Sequence, residues 1–225
     1  MLYLLDTANL EEIERLKDAY PVCGVTTNPA ILGQEGKEPA RQLRLIREAI
    51  GPERMLHAQV TGKDAETMTR EAVALRDAVG GNFYVKIPAV PEGLRAMPML
   101  KKEGLKVTAT AIFDSSQALL FARAGAEYVA PYVSRLDNIG ADGVDIVEEI
   151  MHDFHVYGIE TGVLAASFRT ADQIRRLAKH GISAVTVTPA FLEALLWHPM
   201  TDDAMRRFDE AWLRLADGKD WTQLL

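Results

Sequence analysis

Hydrophobic and polar positions along this chain follow two alternating periods. Short apolar runs of strand length occupy residues 2–5, 22–25, 55–60, 83–88, 105–112, 127–133, 162–167 and 183–187. Between them lie longer segments whose apolar residues recur every three or four positions. Short runs rich in β-branched and aromatic residues favour strands, and the three-to-four spacing gives a helix one buried face. Helices are predicted from a cap at Thr7 or Asn9 to about residue 20, and over 38–50, 64–79, 91–102, 144–156, 170–180 and 189–197. Another runs from a cap at Asp114 or Ser115 to Arg123, and an amphipathic helix over 202–215 follows the last unit. Residues 26–29 read as a polar turn and 134–143 as a polar loop.

Eight strands alternating with eight helices predict an α/β fold, a single-domain parallel (β/α)8 TIM barrel with an extra C-terminal helix. The barrel is expected over residues 1–200. A tail over 201–225 carries Phe208, Trp212 and Trp221, with Trp197 just before it, and is expected to pack on the barrel or on a neighbouring subunit. A doubly wound open sheet would want a glycine-rich phosphate turn after an early strand, and the chain has no G-x-G-x-x-G.

Composition narrows the function classes. With 48% hydrophobic and 25% charged residues and no run of like charge, the 225-residue chain has an ordinary globular balance. A net charge of -7 argues against nucleic acid or an anionic membrane as partner, so an anionic substrate needs a local basic pocket. Cys23 is the only cysteine, which excludes an internal disulfide. Asp6 interrupts the opening apolar stretch, which reads as neither signal peptide nor membrane span, and a cytoplasmic location is expected.

Candidate chemistry centres on the strand at 83–88, where Lys86 shares a face with Tyr84, opposite Phe83, Val85 and Ile87. A strand-end lysine can snorkel to water. Drawn inside, its amine loses solvation, its pKa falls, and the neutral form can attack a carbonyl. Alternation then predicts an inward set of Asp6 with Leu4, Asn28 with Thr26, Gln59 with His57, Thr110 with Thr108, Tyr132 with Ala130, and Ser167 with Ala165. Around an imine, Tyr132 suits proton transfer, directly or through a water held by Gln59 and Thr110, while Asp6 and Asn28 suit substrate hydroxyls. Just beyond the strands, Arg135, Ser167 and Arg169 form a set suited to a phosphate dianion. His152 and His155 sit three apart on a helix, and an exposed helix face explains them better than a metal site. A catalytically silent sugar-phosphate-binding barrel would keep the arginines but need no lysine at 86.

Taken in order, the stretches Leu5-Asp6-Thr7-Ala8-Asn9, Gly24-Val25-Thr26-Thr27-Asn28-Pro29, Val85-Lys86-Ile87-Pro88, Ala124 through Tyr132 and Leu164 through Thr170 resemble the small transaldolase family. Within it they resemble the fructose 6-phosphate aldolase branch, because Gln59 and Tyr132 stand where transaldolases carry glutamate and phenylalanine. The resemblance implies a Schiff base on Lys86, no metal or organic cofactor, and a sugar-phosphate substrate. It also implies a homo-oligomer of pentamer rings or a decamer, in which the C-terminal helix reaches a neighbour. The expected activity is reversible cleavage of fructose 6-phosphate to dihydroxyacetone and glyceraldehyde 3-phosphate. The alternative is transfer of a dihydroxyacetone unit between sugar phosphates.

Overall fold

A computed structural model describes all 225 residues. In chain order, β1 (Leu2–Asp6) leads to α1 (Leu10–Leu16), β2 (Val22–Thr26) to α2 (Pro29–Gln34) and α3 (Pro39–Ile50), β3 (Met55–Gln59) to α4 (Ala65–Val79), and β4 (Phe83–Pro88) to α5 (Pro91–Lys102). β5 (Lys106–Ile112) then leads to α6 (Ser115–Arg123), β6 (Tyr128–Pro131) to α7 (Val133–Asp137) and α8 (Gly143–Val156), and β7 (Gly162–Ala165) to α9 (Ala171–Lys179). β8 (Ala184–Val187) is followed by α10 (Pro189–Leu196), α11 (Pro199–Ala216) and α12 (Trp221–Leu224). The strands pair in sequence order, and β8 pairs in parallel with β1 to close the barrel. Closure satisfies every ladder and leaves no exposed sheet edge.

Helix starts follow local chemistry. Asn9, rather than Thr7, caps α1 by accepting from the Glu12 N–H, and Asp114 caps α6 through the Gln117 N–H. α1 ends at Leu16, four residues earlier than expected, and the chain turns on to Tyr20, whose N–H donates to the Leu16 carbonyl. Two expected connections are helical instead. Asn28 caps α2 by accepting from the Ile31 N–H at 3.0 Å, with Pro29 in the first turn where its missing N–H costs nothing. In place of an extended continuation of β6 and a loop, α7 starts at Val133, whose N–H donates to the Ala166 carbonyl.

Two compact units divide the chain, Met1–Pro189 and Ala190–Leu225. The first contains the barrel. In the second, His198 caps the 18-residue α11, and the Trp212 and Trp221 rings pack at 4.8 Å between centroids. No helix is long and apolar enough to cross a membrane.

Inside the barrel, Leu4, Met55, Leu164 and Ala184 form an apolar floor, flanked by Cys23, Tyr84 and Tyr128. His57 lies against it, stacked on Tyr84 at 4.6 Å and edge-on to Tyr128. Because all strands run the same way, residues two further along each strand stand nearer the C-terminal mouth. That places Asp6, Lys86, Ala130 and Thr186 one layer above the floor.

The end of the lysine strand is held by close packing. A Cβ on Gly93 of α5 would sit 2.2 Å from the Pro88 carbonyl oxygen and 3.1 Å from Ile87. Gly93→Ala is therefore expected to push α5 off β4 and to cost about 1–3 kcal/mol, read as a lower denaturation midpoint with an unchanged denaturant slope.

Candidate active site

At the C-terminal mouth, a cavity of about 130 Å³ is lined by Asp6, Thr26, Asn28, Lys86, Ala130, Tyr132, Arg135, Ser167 and Thr186, with Leu164 and Ala166 completing the wall. Larger spaces lie elsewhere. One of about 820 Å³ at the opposite end of the strands includes Tyr84, Glu127, Tyr128 and Ser183, and it holds none of the expected residues. The small cavity is where the chemistry converges.

Lys86 is 6% exposed, and its Nζ donates to the Thr27 carbonyl at 3.0 Å. Burial lowers its pKa from the ordinary lysine value, and the Asp6 carboxylate opposes that shift only in part. A desolvated ammonium is costly, so the uncharged nucleophilic amine gains population.

Asp6 accepts from Thr26 Oγ1 at 2.7 Å, and Thr26 Oγ1 lies 2.6 Å from Thr186 Oγ1. The first bond fixes the second. A hydroxyl has one proton, and Thr26 gives its own to Asp6, so Thr186 is the donor to Thr26. The carboxylate is thus anchored by a two-hydroxyl chain crossing β1, β2 and β8. Thr186 was not among the expected site residues, although the alternation of β8 places it inward with Ala184.

Tyr132 stands just past β6, its hydroxyl 3.1 Å from Thr110 Oγ1. The fully buried Thr110 reaches the phenol without lining the cavity itself. Beside it Ala111 has φ 57°, and the β5–β6 register shifts between Thr110 and Ile112. Such bulges re-aim a strand end, here toward the phenol. The Arg135 guanidinium lies over the Tyr132 ring at 4.6 Å, a cation–π contact that holds the exposed arginine at the cavity rim.

Three of the expected residues stand differently from the others. Gln59 does not line this cavity, although its Cα is paired with that of Lys86. It lines a neighbouring space of about 680 Å³ together with Val60, Thr61, Gly62 and Pro88. Arg169 is exposed and outside the cavity, on the segment where its backbone N–H donates to Gln173 Oε1 at 2.9 Å. At β7 and the residue just after it, Leu164 and Ala166 point inward rather than Ala165. Ser167 still reaches the cavity, because its left-handed backbone, φ 64°, breaks the strand alternation immediately after Ala166. His152 and His155 both lie exposed on α8.

The loops bearing these groups are tied from outside. Buried Gln173 of α9 donates to Asp137 Oδ2 at 2.5 Å and Ser134 Oγ at 3.2 Å, holding α7, which carries Arg135. Its Oε1 accepts from the backbone of Arg169 and Thr170. The sequence signal is the capping box that Thr170 and Gln173 form.

A barrel with a buried lysine, a carboxylate and a phenol in one pocket at its C-terminal mouth has the equipment of a carbonyl-addition enzyme. Residues 3–222 match the family model described as transaldolase/fructose-6-phosphate aldolase, and the chain belongs to that family. It is thus an aldolase/transaldolase-type enzyme. A protein named probable transaldolase from Thermoanaerobacter sp. (strain X514) is 41% identical over 94% of this chain and 97% of its own length. Proteins of the same name from Exiguobacterium sp. and Methanococcus maripaludis are 40% and 41% identical over the same shares. Among solved structures, a flavocytochrome b2 variant with sulfite bound superposes with a TM-score of 0.60 at 11% identity. That match covers 85% of this chain and 57% of the other, and it is a likeness of fold alone.

His57 gives the site a titration of its own. The ring is 0% exposed, its Nδ1 lies 2.9 Å from Thr108 Oγ1, and its Nε2 has no partner. Burial, with the Lys86 charge adding to it, pushes its pKa down to about 3. Above pH 6.5 the imidazole is neutral in both folded and unfolded chains and contributes no pH dependence. Between pH 6.5 and about 3 only the unfolded chain takes the proton, so stability falls with acidification by up to about 1.4 kcal/mol per pH unit. His57→Phe keeps a ring against Tyr84 and removes this proton. Urea midpoints measured from pH 7 to pH 4 are expected to fall less steeply in that variant than in the natural chain.

Proposed function

We propose that this chain transfers a dihydroxyacetone unit between sugar phosphates through a Schiff base on Lys86. The observation that carries the reading is the buried Lys86 amine of lowered pKa, in a cavity shared with Asp6, Tyr132 and Arg135. The names of relatives about 40% identical along nearly the whole chain weigh toward transfer.

In this mechanism the Lys86 lone pair adds to the ketose carbonyl, and loss of water gives an iminium. Asp6, held by Thr26, takes the proton of the hydroxyl on the carbon two away from the iminium carbon. That hydroxyl carbon becomes an aldehyde, the adjacent carbon–carbon bond breaks, and its electron pair enters the iminium to form an enamine. The aldehyde product leaves. An acceptor aldehyde then takes the enamine carbon by the reverse steps, and water releases the new ketose. Asn28 is assigned to substrate hydroxyls, and Arg135 with Ser167 to the phosphate. Arg169, exposed beside Ser167, and Gln59, in the adjoining space, are assigned outer roles toward the acceptor.

A second reading, cleavage of fructose 6-phosphate to free dihydroxyacetone and glyceraldehyde 3-phosphate, is favoured by the phenol of Tyr132 beside Thr110. A phenolic proton delivered to the enamine carbon would end the reaction in release rather than transfer.

Self-association is also proposed, on the strength of the exposed Trp197, Phe208, Leu213 and Trp221 in the C-terminal unit. A single monomer-mass species in sedimentation velocity would overturn it.

Lys86→Met is expected to abolish turnover and to remove the borohydride-trapped adduct from the peptide containing residue 86. Because imine formation needs the uncharged amine, its rate is expected to rise with pH and level off below the pKa of an ordinary lysine. Comparing free dihydroxyacetone release with transfer to erythrose 4-phosphate separates the two readings. If cleavage is the native activity, Tyr132→Phe lowers release by about 10²-fold and leaves transfer largely intact.

A further inference from the structure

Thr27 does not line the cavity, yet its polar groups all act between β3 and the reactive amine. The residue is 0% exposed. Its N–H and its hydroxyl both donate to the His57 carbonyl, at 2.9 and 3.0 Å, and its own carbonyl accepts from Lys86 Nζ at 3.0 Å. Two donors from one residue fill both lone pairs of a single oxygen and pin the peptide in place. The anchor is itself fixed, since His57 is stacked on Tyr84, paired with Thr108, and held in the β3 ladder. The Thr27 carbonyl has no freedom to follow the lysine. The amine must come to it.

Building on the imine reading above, we infer that Thr27 is a positioning residue for Lys86. Its carbonyl holds the nitrogen through the carbonyl chemistry, and its hydroxyl fixes that carbonyl. A neutral amine has two N–H bonds and one lone pair. One N–H directed at Thr27 leaves the lone pair and the second N–H turned toward the cavity. When the lone pair adds to a ketone carbon, the carbonyl electrons move to oxygen, which gains the second N–H proton. The carbinolamine hydroxyl then takes a proton from solvent and leaves as water, giving an iminium that keeps one N–H for Thr27. A carbonyl accepts more strongly from a cation than from a neutral amine, so this contact favours the iminium.

The test measures borohydride trapping of dihydroxyacetone on Lys86, together with steady-state kinetics across pH, in Thr27→Val and Thr27→Ser. Valine keeps the shape and deletes the hydroxyl. The expected result is an imine-formation rate and kcat lower by about tenfold, the scale of one lost hydrogen bond, with KM within about twofold. The acid limb of the pH–rate profile is expected at lower pH, because the Lys86 ammonium loses a firm acceptor. Serine is expected to restore rate and profile. Wild-type trapping rate and an unmoved acid limb in a folded Thr27→Val would overturn the inference, as would a raised KM with unchanged kcat. Should the valine variant not fold, Thr27→Cys supplies a weaker donor at similar volume. An intermediate rate supports the assignment, and a wild-type rate overturns it. Absence of any adduct in the natural chain would instead sink the imine reading on which this rests.

Discussion

Desolvation of one amine is the constraint that orders the rest of this molecule. A closed barrel confines every inward side chain to a single dry interior, where a charge without partners is expensive. Lys86 is buried there with one carbonyl acceptor and with Asp6 near enough to oppose its loss of charge. Threonine hydroxyls form most of the remaining polar contacts in the interior, while His57 Nε2 is left without a partner. Thr186 bonds Thr26, which bonds Asp6, Thr108 bonds the His57 ring, and Thr110 bonds Tyr132. Threonine suits these positions, since its β-branched stem packs on a strand and its single hydroxyl adds no charge. His57 stays uncharged for the same reason that Lys86 tends to.

Much of this was legible in the sequence because two periods, two and three to four, carry nearly all the information about a barrel. Alternation alone placed Asp6, Thr26, Asn28, Lys86 and Tyr132 around one cavity. It misplaced residues where the backbone leaves the strand. Ser167 and Ala111 adopt left-handed conformations that only three non-glycine residues in the chain show, and no propensity reading anticipates those. Gln59 stands at the last position of β3, where the strand hands over to a loop and alternation no longer fixes direction. The short helices α2 and α7 were hidden in segments too brief for a helical period to register. Even so, the Asn28-Pro29 pair carried a start signal, a capping side chain followed by a proline in the first turn.

Family membership and the geometry divide the functional question between them. The match over residues 3–222 assigns the class of enzyme. What the local geometry adds bears on the proposed reactions, since on that reading release or transfer depends on whether a proton or an acceptor aldehyde reaches the enamine first. In this chain the phenol stands at the wall of the cavity with Thr110 behind it, and Gln59 lines the neighbouring space. A proton source within the pocket and a neutral side chain beyond it make a different environment from one holding a carboxylate.

The Gln173 side chain has a consequence outside the pocket. One amide on an outer helix ties down both the turn that carries Arg135 and the segment that carries Arg169, without itself reaching the cavity. The spacing of the two guanidinium groups is therefore governed from the periphery. Changes on α9 can shift these two side chains while the barrel's inner wall stays untouched, a route by which closely related chains could diverge around the mouth and keep one interior.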